Sequence, residues 1–264
     1  ADVFPNKLKD SYKNISGERG GAFAPQLDIP EDRKFIGFDG YKKALDCLRP
    51  GDIAIFATPP AFRWVHFGYA IEKGINVFME KPVAVDPAGV RRVLAANEEA
   101  KKIDLFVAVG LQRRHEPAYV ETIQRIQDGM IGDIVLARAY WNGAKPWVRL
   151  REAQQTEMEY QLRNWYYFNW LCGDHIVEQH IHNLDVINWF KGSYPVKAQG
   201  MGGREVRKGK DFGEIFDHHY VEFHYADGFI LNSQCRHIPG TMSKVDELLV
   251  GTKGRIQCGA ANIV

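Results

Sequence analysis

The sequence predicts an α/β fold in two parts. A parallel-sheet half spans residues 1–112, and an α+β half with a large, mostly antiparallel open sheet spans residues 113–264. Two observations carry this expectation. Up to Gly110, short continuous apolar runs alternate with helix-length stretches, the pattern of parallel strands joined by crossover helices. Beyond Gly110, strand-like runs dominate, and His218–Tyr225 alternates between two faces as a strand does. The 264 residues, 45% of them hydrophobic, suffice for two modest cores without disulfide or metal staples.

Each element has its own signal. Lys34–Gly37 is a short extended run, followed by a helical stretch with Tyr41, Ala44, Leu45 and Leu48 on one face. Ile53–Thr58 is an apolar strand stopped by Pro59 and Pro60. A helix from about Phe62 to Lys73 leads through Gly74 into the strand Ile75–Met79. Asp86-Pro87 marks a helix start, an N-cap followed by proline at the first helical position. Leu105–Val109 is a further strand. Such unalternating runs are expected to be buried on both faces. Val120, Ile123 and Ile126 then mark a helix that ends near Gly129 and Gly132. Strands are predicted over Asp133–Trp141, Pro195–Met201, His218–Tyr225, Phe229–Arg236 and Val245–Val250. Asp227-Gly228 is a hairpin turn between two of them. His219, Val221, Phe223 and Tyr225 share one face of their strand.

Charge and cysteine usage exclude several function classes. The formal net charge is +1, so no basic stripe offers itself to nucleic acid. Cys47, Cys172, Cys235 and Cys258 form no CxxC pair and are expected to be free thiols in a reducing compartment, which points to the cytoplasm. No apolar run is long enough to span a membrane. A dinucleotide-binding sheet should open with a strand and a GxGxxG turn, and the sequence has none. Gly200-Met201-Gly202-Gly203 lies in the strand-rich half with no helix after it, and is a decoy. Ala1-Asp2-Val3-Phe4 reads as the tip of a strand. The expectation is therefore that one strand–helix unit of at least ~20–30 residues precedes it, where any export signal would lie. At the other end, Val264 falls inside or just past a strand, so a C-terminal piece is expected as well.

Five short motifs follow one another in order. ADVF at the start is followed by Ala57-Thr58-Pro59-Pro60, then His66, then Glu80-Lys81-Pro82. Gly110-Leu111-Gln112-Arg113-Arg114 comes next, and then Glu178…His182…Asp185. Together they cover nearly the whole chain and resemble the glucose-fructose oxidoreductase / inositol dehydrogenase / MocA family, with its ATPP…H…EKP, G-x-[NQ]-R-R and D-x-x-x-H-x-x-D elements. The resemblance implies a Rossmann-like NAD-binding domain and a substrate-binding and oligomerisation domain. It also implies hydride transfer between nicotinamide and a sugar, polyol or sugar derivative, in a homodimer or homotetramer. Glu178 departs from the family's usual aspartate and reaches further.

The residues give these roles a physical basis. Asp2, at the carboxyl end of a strand, suits the adenosine ribose hydroxyls and would repel a phosphate, which favours NAD over NADP. Thr58, Pro59 and Pro60 end a parallel strand at the edge where such sheets take ligands. With Phe4, Ala57, His66, Glu80, Lys81 and Gln112 they make up the cofactor candidates. Lys81 follows an apolar strand and precedes a proline, which disfavours helix at that position. There it could bond a substrate hydroxyl and lower the pKa of a neighbouring base. His175, Glu178, His182 and Asp185 form one polar stripe on a single predicted helix. His182 is the proton acceptor and Glu178 orients it or shares the proton. Arg113, Arg163, Trp165, His175 and Arg236 are the substrate candidates. The surrounding Trp141, Trp147, Tyr166, Tyr167 and Trp170 suit stacking on sugar rings, and about half of them are expected to line the pocket.

Three rival readings remain. One is a redox-neutral glycoside hydrolase or lyase that oxidises its substrate transiently, eliminates the aglycone and recycles the NAD. Another is a non-catalytic sugar or NAD sensor. The third is a metal hydrolase using His175, Glu178, His180 and His182. HExxH spacing is absent, and His180 and His182 point to different faces of a helix, so no metal ligands are expected.

Overall fold

Three short apolar strands pair in parallel to organise the first unit. The computed structural model describes residues 1–144 and 146–259. Strands β1 (Ile53–Phe56), β2 (Asn76–Met79) and β3 (Val107–Val109) lie side by side in that order. Helices α1 (Pro5–Ser16), α2 (Gly40–Leu45), α3 (Arg63–Glu72) and α4 (Pro87–Lys102) punctuate them. Asp2 and Ile36 form an isolated parallel bridge, all that is seen of the extended run predicted near Lys34–Gly37. Helix α1, with no buried residue, escaped the sequence reading; Pro5 at its first turn was its signal.

Burial on both faces does not hold for β1. Ala54 and Phe56 are buried, whereas Ile53 and Ile55 are 66% and 73% exposed. The reason is local. Helix α3 covers the Phe56 side, where Phe56 and His66 rings lie 5.8 Å apart, and the alternate side chains face outward.

The second unit takes the chain from Gly110 onward, together with the excursions Pro59–Ala61 and Glu80–Pro87. Its helices are α5 (Pro117–Gln127), α6 (Glu157–Arg163), α7 (Asn169–Cys172), α8 (Asp174–Glu178) and α9 (Ile181–Lys191). Its strands are β4 (Ile134–Gly143), β5 (Lys197–Gly203), β6 (His218–His224), β7 (Ile230–His237), β8 (Lys244–Gly251) and β9 (Arg255–Gly259). They form one sheet in the order β5-β6-β7-β4-β8-β9, antiparallel except for the β4–β7 pair. Gly200–Gly203 sits inside β5 and opens no helix, as the decoy reading requires. The strand expected to reach Val264 lies outside the described residues.

Alternation decides which side of this sheet is core. In β7, Leu231, Ser233, Cys235 and His237 are buried in strict turn. Leu231, Ala137, Ala139, Leu249 and Ile256 meet Tyr119, Ile123 and Ile126 of α5 and Val186, Ile187 and Phe190 of α9. Arg138, Tyr140, Tyr220, Asn232 and Gln234 line a shallow polar hollow.

Candidate active site

The carboxyl end of β1 is fixed by residues from the helix that follows it. Arg63, almost fully buried, donates from Nε to the Thr58 carbonyl at 2.9 Å. Thr58 Oγ1 and His66 Nδ1 are 3.3 Å apart, and the His66 ring packs 4.3 Å from that of Tyr41. His66 therefore holds Thr58 in place from within the core of the first unit. Arg63 had no sequence motif to announce it. Asp2 Oδ1 accepts the Phe4 amide at 2.8 Å, which closes the strand tip back on itself.

The catalytic candidates all fall in the second unit, because the Glu80–Pro87 excursion carries Lys81 into it. Gly110 makes room for that excursion: a Cβ there would come 2.4 Å from Glu80 Oε2. At its other end, a Cβ on Gly173 would meet the Val85 carbonyl at 3.1 Å, and Gly173 holds φ +73°. Lys81, joined to Pro82 by a cis peptide bond, reaches the end of α8. Its ammonium donates to the Glu178 carbonyl and, at 3.0 Å, to Glu178 Oε1. Both side chains are largely buried, at 15% and 12% exposure, where an ion pair is strengthened by low local dielectric.

The helix predicted to carry the whole polar stripe is two helices. The backbone leaves helical bonding around Gln179 and His180, so Glu178 ends α8 and His182 lies in the first turn of α9. His182 stacks on Trp141 with ring centroids 6.1 Å apart, and its Nδ1 is buried without a hydrogen-bond partner. Burial, then the positive charges of Lys81 and Arg113, lower its pKa to about 4. His182 is therefore a neutral imidazole at physiological pH, able to accept a proton. His180 turns the other way, with Nε2 2.7 Å from Ser233 Oγ, and serves the core.

The two arginines after Gln112 brace this arrangement and do not present themselves to a substrate. Arg113, expected at the substrate, is buried and ion-paired with Glu247, which is fully buried. Glu247 also accepts from Asn183 Nδ2 at 2.6 Å and from the Tyr119 hydroxyl at 3.1 Å. Arg114 binds Asp185 with two bonds of 2.8 Å. Two motifs that lie 71 residues apart in sequence thus lock onto each other across α9. Glu247 escaped the sequence reading, although its place in VDELLV, in phase with the core residue Leu249, was a signal.

The remaining candidates divide. Gln112 is exposed and donates to Glu116 at 3.2 Å. Arg163 donates to Glu159 at 2.9 Å. Trp165 meets Trp147 edge-on at 6.0 Å and Tyr166 at 5.8 Å, so the aromatic stretch does form one cluster. Tyr166 and Tyr167 are buried within it, and Trp147 is 41% exposed. His175, expected at the substrate, is fully buried with Nδ1 2.8 Å from Asp174 Oδ1. Arg236 donates to the Met242 carbonyl and lines a hollow of about 390 Å³ with Asn142, His218, His219 and Gln234.

These buried histidines make stability depend on pH. Burial lowers His66 to about 4, His180 to about 3 and His182 to about 4. Each protonates more readily in the unfolded chain, so folding stability is lost as pH falls from about 6.5 toward 4. Glu247, raised to about 7 chiefly by burial, acts in the opposite sense, but as one carboxylate against three imidazoles. The denaturation midpoint is therefore expected to drop on going from pH 7 to pH 4.5. A midpoint that holds or rises would show that these rings are not buried neutral.

Sequence comparison agrees with this geometry. Residues 119–257 match the GFO/IDH/MocA C-terminal domain, and residues 18–109 match the oxidoreductase family, NAD-binding Rossmann fold. The chain belongs to the Gfo/Idh/MocA family. Among the Gfo/Idh/MocA relatives, it is 27% identical over 176 residues to the 2,7-anhydro-N-acetylneuraminate hydratase of Mediterraneibacter gnavus, covering 67% of this chain and 43% of that protein. It is 26% identical over 148 residues to the NAD(+)-dependent scyllo-inositol 2-dehydrogenase of Bacillus subtilis, covering 55% and 42%. Its fold matches the crystal structure of myo-inositol 2-dehydrogenase from Lactobacillus plantarum with a TM-score of 0.68 at 20% identity, over 98% of this chain and 75% of that one. The chain spans about half the length of the curated relatives it matches. No helix among the described residues is long and apolar enough to cross a membrane.

Proposed function

We propose that the protein is an NAD-dependent oxidoreductase that transfers hydride between nicotinamide and a CH–OH group of a sugar, polyol or sugar derivative. The observation that carries this is the Lys81–Glu178 pair beside a neutral His182. In this reading a substrate hydroxyl takes a hydrogen bond from the Lys81 ammonium, and the His182 imidazole accepts its proton. Glu178 aims Lys81, and Trp141 fixes the plane of the His182 ring. The aromatic cluster around Trp147 and Trp165, with Arg163 and Arg236, supplies ring stacking and hydroxyl bonds.

The parallel sheet of the first unit fits the cofactor. Its strands run out at Ala57-Thr58, at Glu80 and at Gly110, the edge at which open parallel sheets take dinucleotides. Asp2, Phe4, Ala57, Thr58 and His66 are the residues of that unit proposed for it. Bound nicotinamide would supply the hydride acceptor. The Asp2 carboxylate favours NAD over NADP, and competition binding of the two cofactors tests that preference. We also propose residues 1–112 as the cofactor half and 113–264 as the substrate half. The outer sheet face would join copies in a homodimer or homotetramer, to be read by light scattering. Free thiols at all four cysteines fit a cytoplasmic location.

The test is nicotinamide absorbance while the complete protein meets NAD and a panel of free sugars, polyols and glycosides, with products analysed in the same tubes. A sustained rise in reduced cofactor with one substrate class is expected. Release of an aglycone or formation of an isomer without that rise would replace net dehydrogenation by a redox-neutral reaction. No product and no reduction across the panel would overturn the reading.

A further inference from the structure

The start of α8 meets the inward face of β6 in a cluster to which the proposed reaction assigns no task. Asp174, His175 and His219 each offer one donor atom within 4.8 Å of the other two. Asp174 Oδ1 lies 2.8 Å from His175 Nδ1 and 3.4 Å from His219 Nε2. Its other oxygen takes the Phe216 amide at 2.8 Å, which anchors the carboxylate to the segment leading into β6. Metal–nitrogen and metal–oxygen bonds of about 2.0–2.2 Å place two ligand atoms at most ~4.4 Å apart. In the tetrahedral geometry of zinc that spacing is ~3.3–3.6 Å, so an ion among the three would draw the widest-spaced pair together by about an ångström.

Two observations point to a ligand here. His175 Nε2 is buried without a hydrogen-bond partner, and His219 Nε2, also buried, has only the Asp174 carboxylate beside it at 3.4 Å. Asp174 holds φ +70°, the left-handed region that a non-glycine residue occupies at an energetic cost, and such strain clusters at ligand clamps. His237, with its ring 4.5 Å from that of His175, is engaged elsewhere: its Nδ1 takes Arg207 Nη2 at 2.8 Å.

We propose that Asp174, His175 and His219 bind one divalent first-row transition ion, zinc being the best match to two imidazoles and a carboxylate. The ion would clamp the Gly173–His175 turn to β6. Because Glu178 lies one helical turn beyond His175, the clamp would also steady the pair with Lys81. The proposal does not depend on the oxidoreductase reading, since its readout is metal content and not turnover.

The complete protein, prepared without a polyhistidine tag, is stripped with chelator, titrated with Zn²⁺ by calorimetry, and assayed for bound metal by mass spectrometry after dialysis. One Zn²⁺ per chain is expected, with a rise in melting temperature, and Mg²⁺ is expected not to bind. His219→Ala should weaken Zn²⁺ by on the order of a hundredfold or more, given that even an outer-shell partner is worth 10–100-fold. His218→Ala, at the neighbouring ring held by Asp217, should leave it unchanged. His175 is fully buried and its substitution strains the fold; His219, partly exposed, carries the test through both His219→Ala and His219→Gln. The proposal is overturned if wild type takes up no stoichiometric Zn²⁺, Mn²⁺ or Fe²⁺, or if the His219 variants hold the ion as tightly as wild type.

Discussion

Lys81→Ala should cut turnover by about 10²–10⁴-fold, the usual worth of a positioned acid–base group, while cofactor affinity stays within a few-fold. The ammonium has two tasks in the geometry described. It donates to Glu178 and it holds the His182 pKa down. Its removal should therefore also shift the acid limb of the residual activity upward in pH, as His182 loses a nearby positive charge. A merely structural lysine would not move that limb. Thermal melting must accompany the assay, because a largely buried Glu178 loses an ion-pair partner in the variant. Unchanged turnover in a folded variant would remove Lys81 from the reaction.

The largest loss of stability is expected from Glu247→Ala, at about 3–5 kcal/mol, the range for removing one partner of a buried ion pair. Arg113 is 6% exposed and would be left charged in the core, while Asn183 and Tyr119 would lose their acceptor. That corresponds to a melting temperature lower by roughly 6–20 °C for a unit of this size. Chemical denaturation measures it directly, and a loss below ~1 kcal/mol would show that Arg113 finds another partner or water. Because Asn183 is adjacent to His182 in α9, turnover should fall along with stability. Glu247→Gln, which keeps the shape and the acceptor oxygen but not the charge, separates the ionic contribution from the packing one.

Much of the architecture was legible because local rules were enough. Period-two alternation in His218–Tyr225 predicted a strand with His219, Val221, Phe223 and Tyr225 on one face, and β6 spans His218–His224 with Phe223 packed against the core and Tyr225 buried in it. Asp86-Pro87 located the start of α4 to the residue. The breakdown came where local rules are silent. Helical spacing joined His175 to Asp185 in one stripe, yet the helix breaks at Gln179–His180, because His180 turns inward to Ser233 and the helical hydrogen-bond series gives way there. Arg113 looked like a substrate contact because a sequence does not reveal a carboxylate 134 residues away.

The sequence by itself determined the order of strands and helices, the change from parallel to mostly antiparallel sheet, and the family, through short motifs whose residues must sit at strand ends. It also singled out Lys81, Glu178 and His182, which the proposed reaction joins in one chemistry. Tertiary structure alone decided which charges those residues feel and which neighbours hold them. Lys81 joins Glu178, Arg113 joins Glu247, Arg114 joins Asp185, and His219 comes to Asp174 and His175. The reason is physical: periodicity and turn chemistry act over a few residues, whereas pairing and pKa depend on burial and on charges that only packing brings within a few ångströms.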